Sequence, residues 1–140
     1  MRVVLDSNIL VSGLIAPGGT PARLLDAWLD GRFTLVSHAL QLDEVREVTR
    51  RPKIRGLIRP AETGRLVNRV AALAEMPARL PPVERSRDPR DDFLLALCEA
   101  GPTEWLVTGD KDDLLALERH HDTRIVSAAA FSEILTKIGR

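Results

Sequence analysis

The sequence predicts an α/β protein of three layers (α/β/α), with helices on both faces of a central, mostly parallel sheet of about four to five strands. Strand-like and helix-like segments mostly alternate along the chain. The strand-like segments are brief, continuous apolar runs, of which residues 3–5 and 105–108 are the clearest. Continuous apolar runs are typical of parallel strands covered on both faces, whereas a strand with one wet face alternates apolar and polar residues.

The strands are expected at the short apolar runs, at residues 3–5, 33–36, 105–108 and 124–126. The helices are expected in the apolar or helically periodic segments, at residues 9–15, 20–30, 37–50, 60–76, 91–100, 112–120 and 127–138. Side chains that favour helix starts precede several of these segments, and the expected N-caps are Ser7 or Asn8, Thr20, Ser37 and Ser127. Residues 77–89 are rich in proline and arginine and are expected to be extended or looped.

A chain of 140 residues, 44% of them apolar, fits one domain over residues 1–140 with a real hydrophobic core. The single cysteine, Cys98, lies in an apolar run and is expected to be a reduced, buried and inert thiol. No apolar stretch approaches the length of a membrane span, and no signal-peptide pattern opens the chain. We therefore expect a cytoplasmic protein without a membrane partner.

The formal net charge is zero, but the charges are segregated. Basic side chains dominate one stretch of the chain, at Arg46, Arg50, Arg51, Lys53, Arg55, Arg59, Arg65 and Arg69. A second basic cluster, Arg85, Arg87 and Arg90, comes just before an acidic one. Two interpretations remain open: a positive surface beside a negative pocket, or solvated helix faces.

Several acidic residues fall where a parallel α/β sheet binds ligands, at the carboxyl ends of its strands. Asp6 follows the first strand directly, and Asp110 follows the strand at residues 105–108 after one glycine. Asp91 and Asp92 open the helix that precedes that strand, and such helix starts also lie near this edge. We expect the four side chains to lie close to one another.

Glu44 is expected in the middle of a helix and is selected by helical phase. Residues four apart share a helix face, so Glu44 lies between Leu40 and Val48 on a partly apolar stripe. Its neighbour Asp43 falls instead on the polar face with Glu47. Glu44 is therefore the acid expected to point inward.

Each acid also has a structural explanation when it is taken alone. Asp6 could cap the next helix, Asp88, Asp91 and Asp92 could be ordinary helix-start acids, and Asp110 could belong to a polar turn. Together, however, these carboxylates would repel one another unless a cation lay between them. Oxygen ligands favour Mg²⁺ or Mn²⁺, whereas zinc would favour histidine or cysteine. The histidines at positions 38, 120 and 121 are expected to be surface or packing residues.

Four segments in the correct order resemble the PIN-domain family, in particular the toxin-like PIN proteins of bacterial toxin–antitoxin systems. They are VVLDSNILVSGL, ALQLDEVREVTRRPKI, RDPRDDFLLALCEA and LVTGDKDDLLAL. The resemblance covers nearly the whole chain. It implies a PIN-like fold and a ribonuclease that hydrolyses single-stranded RNA with Mg²⁺ or Mn²⁺.

By motif position, the resemblance places the four catalytic, metal-binding acids at Asp6, Glu44, Asp92 and Asp110. Asp91 is implied as an adjacent metal ligand, and the supporting residues implied are Ser7, Asn8, Thr108 and Asp113. The related pattern has one acid where this chain has both Asp112 and Asp113, so which of these lies nearer the site stays open. The basic residues expected to hold the RNA backbone are Arg50, Arg51, Lys53, Arg87 and Arg90.

The resemblance also implies a homodimer and capture by a cognate antitoxin protein. Two other functions remain as alternatives. One is a catalytically silent PIN-fold module that binds RNA or an antitoxin. The other is a carboxylate–metal phosphatase of the haloacid dehalogenase type, which wants a second aspartate where this chain has Asn8.

Overall fold

The structure is a computed structural model that describes residues 1–109 and 112–138. Its strands are β1 (Arg2–Leu5), β2 (Thr34–Leu35), β3 (Trp105–Thr108), β4 (Arg119–His120) and β5 (Thr123–Ser127). Its helices are α1 (Ser7–Ile15), α2 (Thr20–Leu29), α3 (Ala39–Arg50), α4 (Pro60–Leu73), α5 (Pro89–Ala100), α6 (Asp112–Ala116) and α7 (Ala128–Ile138).

The five strands form one sheet in the order β2-β1-β3-β5-β4. All neighbouring strands are parallel except β4 and β5, which pair antiparallel. Leu5 lies opposite Val107, so the chain leaves β1 and β3 at the same edge of the sheet. The predicted mostly parallel sheet is confirmed, and its carboxyl edge receives Asp6.

Alternate residues of the central strands enter two separate hydrophobic cores, one on each face of the sheet. Val3, Leu5 and Val107 pack on one face with side chains from α1, α2, α3, α4 and α7. Val4 and Leu106 pack on the other face with the apolar side of α5 and with Leu114 of α6. The continuous apolar runs therefore serve both faces, and the predicted three-layer arrangement is confirmed.

The expected cap of the last helix is confirmed, because Ser127 Oγ accepts a hydrogen bond of 3.1 Å from the N–H of Ala130. The other three helix starts differ from the expected caps. Asp6 caps α1 by accepting a hydrogen bond from the backbone N–H of Asn8, at 3.2 Å. His38 caps α3 through Nδ1, which accepts from the N–H of Leu40. Ser37, the expected cap, is buried and hydrogen-bonded to Gln41 instead. Gly19 precedes α2, so Thr20 is the first helical residue and not the cap.

The predicted helix over residues 112–120 is wrong in its second half. Helix α6 ends at Ala116, and residues 119–120 form β4. This strand turns into β5 through His121, whose φ of 52° lies in the left-handed region. A two-residue strand is too short to show a periodic pattern, which is why the sequence gives no sign of it.

Cys98 belongs to α5 and is buried in the core that this helix covers, as the sequence predicts. Burial raises the pKa of its thiol to about 12, an effect that a hydrogen bond to Thr123 partly opposes. Among the described helices, none is both long and apolar enough to span a membrane.

Candidate functional site

Asp6 is the anchor of the site because the sheet fixes both its backbone and its side chain. Its backbone N–H donates to the carbonyl of Val107, which continues the β1–β3 pairing. Its Oδ2 accepts a hydrogen bond of 2.9 Å from the hydroxyl of Thr108, and its Oδ1 caps α1. The residue is only 2% exposed. The capping role and a place in the site are therefore compatible, and the Thr108 hydroxyl fixes one oxygen of the carboxylate.

The two residues after Asp6 have opposite environments. Ser7 is buried, and among the described residues its hydroxyl has no hydrogen-bond partner. Asn8 is exposed, and its backbone N–H donates a hydrogen bond to Asp6. An unsatisfied hydroxyl next to a buried carboxylate is costly unless a ligand or water meets it.

Gln41 is a positioning residue that sequence reasoning missed. It is fully buried, and its Nε2 donates to the carbonyl of Leu5 at 2.7 Å. Its Oε1 accepts from the hydroxyl of Ser37 at 2.6 Å. These bonds hold α3 against the last residue of β1. A polar residue three positions before Glu44 in a mostly apolar helix face was the signal available in the sequence.

Glu44 lies one turn after Gln41 on α3 and is half-buried, whereas Asp43 is exposed and pairs with Arg46 at 3.2 Å. The expected choice of Glu44 over Asp43 as the inward acid is therefore confirmed by burial. The expected inward stripe of Leu40, Glu44 and Val48 was wrong at one position, because Leu40 is 56% exposed. The inward face of α3 is set by Gln41 rather than by Leu40.

Asp91 and Asp92 are separated clearly by the structure. Asp91 is 4% exposed, and its Oδ2 accepts a hydrogen bond of 3.4 Å from the Ser86 hydroxyl. The Oδ1 of Asp92 accepts from two backbone N–H groups, those of Arg85 at 3.1 Å and of Ser86 at 2.7 Å. Asp92 thus fastens the preceding loop to α5. Asp91 is the acid buried at the helix start.

Arg90 connects the acids of α3 and α5 electrostatically. The pKa of its guanidinium is raised, first by its hydrogen bond to Asp88 and the charge of that residue, and then by the charges of Glu44 and Asp91. Glu44 and Asp91 therefore lie near a common cation. Arg90 itself is exposed at the rim of the site, and its guanidinium pairs with Asp88 at 3.2 Å.

The remaining predicted site residues are less informative. Asp110 lies outside the described residues, although Thr108, two positions earlier, ends β3 at the carboxyl edge. Asp113 lies in α6 and is exposed.

The basic residues assigned to RNA are all on the surface, namely Arg50, Arg51, Lys53, Arg87 and Arg90. Arg51 pairs with Glu47 at 3.4 Å. Arg50 lines a cleft of about 400 Å³ between α3 and α4 together with Arg46 and Arg55. The segregated charges therefore form a positive cleft on the helix that carries Glu44.

The donor set at the carboxyl edge fits a hard divalent cation. Asp6 and Asp91 offer carboxylate oxygens from buried positions, and Glu44 offers another from a half-buried one. The hydroxyl of Ser7 is an additional oxygen whose hydrogen-bonding capacity is unused among the described residues. Oxygen donors of this kind suit Mg²⁺ or Mn²⁺.

The family model for the PIN domain matches residues 2–112, which contain every described element from β1 to β3 and the described acids of the site. No curated protein and no solved structure matches the chain significantly. The match spans well over half of the chain. The chain belongs to the PIN-domain family, whose members are generally metal-dependent nucleases.

Proposed function

We propose that this protein is an endoribonuclease that hydrolyses phosphodiester bonds in single-stranded RNA with Mg²⁺ or Mn²⁺. The observation that carries the proposal is a PIN domain in which Asp6 is buried directly after β1, Asp91 is buried at the start of α5 and Glu44 is half-buried on α3. Buried carboxylates need a counter-charge, and a divalent cation supplies one.

In this proposal the metal is held by Asp6, Glu44, Asp91 and Asp110. We assign to Asp91 the metal-ligand role that the family resemblance implied for Asp92. The reason is that the Asp92 carboxylate already accepts hydrogen bonds from two backbone amides. When bound, the ion would activate a water and neutralise charge on the phosphate.

The surrounding residues position this machinery. Thr108 fixes one oxygen of Asp6, and Gln41 fixes α3 so that Glu44 faces the same edge. Glu44 is a ligand or positions the attacking water. Arg90 at the start of α5 supplies a cation for a backbone phosphate, and the cleft that Arg50 lines on α3 offers further cations for the RNA backbone. The proposed products carry a 3′-hydroxyl and a 5′-phosphate.

Single-stranded RNA incubated with the purified protein and Mn²⁺ tests the proposal. Cleavage is expected to stop with EDTA and with Asp6→Asn, and to continue with Asp43→Asn, the exposed neighbour of Glu44. Cleavage that persists in EDTA or in Asp6→Asn contradicts the proposal. Strong turnover of a chromogenic phosphate ester without RNA cleavage would favour the phosphatase, and RNA or antitoxin binding without cleavage would favour the silent module.

We further propose that the nuclease is the toxin of a cytoplasmic toxin–antitoxin system and forms a homodimer captured by its antitoxin. The resemblance of the four motifs supports this role. A cleft of about 370 Å³ between α2 and α4, bordered by exposed Leu29 and by the charged side chains of Glu62 and Arg65, is a surface that a protein partner could cover. A short upstream reading frame for a DNA-binding antitoxin, together with growth arrest on expression of the chain alone, is expected. Growth unaffected by active enzyme would contradict the toxin role.

A further inference from the structure

A second cluster of metal-ligating side chains lies away from the acids of the carboxyl edge. It consists of Glu99, His120 and His121, whose ligand atoms all lie within 4.8 Å of one another. His120 pairs with Thr123, the first residue of β5, so the cluster is at the amino edge of the sheet. Asp91 and Glu99 are eight residues apart on α5, which corresponds to about 12 Å along the helix axis.

We propose that Glu99, His120 and His121 bind a divalent transition metal of the zinc class, separately from the Mg²⁺ or Mn²⁺ of the proposed nuclease site. Two imidazoles and one carboxylate are a donor set that suits Zn²⁺, Co²⁺ or Ni²⁺ and does not suit Mg²⁺. Three protein ligands leave a coordination position for water or another small ligand.

The geometry of the cluster is already close to that of a three-ligand site. His120 Nε2 lies 2.6 Å from Glu99 Oε2, and His121 Nε2 lies 3.7 Å from the same oxygen. Ligand atoms about 2.0–2.2 Å from a tetrahedral metal are a little over 3 Å apart, so these separations bracket the required value.

The cluster has one fixed ligand and two accessible ones. His120 is 5% exposed and is held by the sheet, while the His121 side chain is 70% exposed and that of Glu99 is 29% exposed. All three line a cleft of about 420 Å³ that is open to solvent. A metal ion can therefore reach the buried imidazole through the cleft.

The hydrogen bond from Arg85 to His120 competes with metal binding. The guanidinium of Arg85 lies 2.9 Å from His120 Nδ1, and because arginine only donates, Nδ1 must be the acceptor. The proton of neutral His120 is then on Nε2, directed at Glu99. Metal coordination at Nε2 transfers the ring proton to Nδ1 and breaks the bond from Arg85. Arg85 keeps its second partner, the carbonyl of Arg119, at 2.8 Å.

Titration with Co²⁺, whose visible absorption reports tetrahedral coordination, tests the site on tag-free protein. An Asp6→Asn background keeps the proposed nuclease site from contributing, so failure of one proposal leaves the other intact. One Co²⁺ per chain is expected, displaced by Zn²⁺ and unaffected by excess Mg²⁺. Absence of one-to-one binding at up to about 1 mM Co²⁺ overturns the proposal, since a Kd above about 1 mM is too weak for a built metal site.

Single substitutions identify the ligands. His121→Asn suits the left-handed backbone and removes an imidazole, and Glu99→Gln removes the carboxylate; each is expected to weaken Co²⁺ binding by about 100-fold. The control is Glu104→Gln, which lies in the same cleft outside the cluster and should bind normally. Unchanged binding by His121→Asn and Glu99→Gln would place the ion elsewhere and overturn the proposal.

Arg85→Ala separates this site from an adventitious pair of surface histidines. Removing the competing donor is expected to tighten Co²⁺ binding by about tenfold, the equivalent of one hydrogen bond. Unchanged affinity would show that the ion does not displace Arg85 and would contradict the coordination of His120 through Nε2.

Discussion

The hydroxyl of Thr108 donates a 2.9 Å hydrogen bond to Oδ2 of Asp6, a residue 102 positions earlier in the chain. Parallel pairing of β1 with β3 brings the two strand ends together, and both side chains are buried there. A carboxylate held in this way presents its oxygens in a fixed direction, as a metal ligand requires.

Replacing Thr108 with valine removes this donor while keeping the shape of the side chain. We expect about tenfold weaker Mn²⁺ activation of RNA cleavage, and a loss of about 1 kcal/mol in the free energy of unfolding. Thr108→Ser retains the hydroxyl and should retain most of the activity. Equal Mn²⁺ requirements for Thr108→Val and the unaltered protein would show that this bond does not orient Asp6 for metal binding.

Substitutions at Asp91 and Asp92 should affect different properties, RNA cleavage in the first case and the free energy of unfolding in the second. Asp91→Asn is expected to lower kcat/KM for RNA by about 100-fold or more, because it removes a proposed metal ligand. Asp92→Ala is expected to lower the free energy of unfolding by about 1–3 kcal/mol, because two backbone amides lose their acceptor. Denaturant unfolding and cleavage kinetics on both variants provide the test. A large, metal-dependent activity loss in Asp92→Ala at unchanged stability would restore Asp92 as the ligand.

Gln41 is expected to be important for both the fold and the site. Gln41→Ala leaves the carbonyl of Leu5 and the hydroxyl of Ser37 without their partner, which should lower the free energy of unfolding by about 2–3 kcal/mol. The RNA cleavage rate should also fall, because α3 carries Glu44. The matched control is Asp43→Ala on the exposed face of the same helix. Equal stability of the two variants would contradict the positioning role.

Arg90 should contribute one phosphate contact. Arg90→Ala is expected to reduce the slope of log Kd against log salt concentration for single-stranded RNA by about 0.7, the value for one contact. Asp6→Asn protein in EDTA permits the measurement without cleavage. Arg2, which pairs with Glu75 at the amino edge, is the control position and its replacement should leave the slope unchanged. An unchanged slope in Arg90→Ala would remove Arg90 from the RNA path.

Cys98 should make stability fall at high pH. Burial raises the pKa of its thiol from 9.0 to about 12, so the unfolded chain loses this proton at lower pH than the folded chain does. The contribution is fully present below pH 9.0 and is lost as the pH rises from 9.0 towards about 12. The difference in the free energy of unfolding between the unaltered protein and Cys98→Ala is therefore expected to narrow above pH 9.0, as followed by urea unfolding. At pH 8 the native thiol should resist alkylation until urea unfolds the chain. Rapid native-state alkylation would contradict its burial.

The sequence by itself determined the layer order and the main elements, because these follow from local patterns. Strand β3 was predicted at its observed bounds, because an apolar run of about four residues has the length of a strand and is too short for a typical helix. Helical phase separated Glu44 from Asp43, and the position of Asp6 after a strand placed it at the edge of the sheet.

Only the tertiary structure decided the features that depend on contacts between distant segments. Asp91 and Asp92 are adjacent in the same helix turn, and the loop amides of Arg85 and Ser86 select which of them is engaged. Gln41 has its role because Leu5, 36 positions away, offers a carbonyl. Likewise, strand β4 brings His120 to Glu99 only through its pairing with β5. Local sequence encodes periodicity and caps, whereas the partner of a buried polar group is set by the packing of the whole chain.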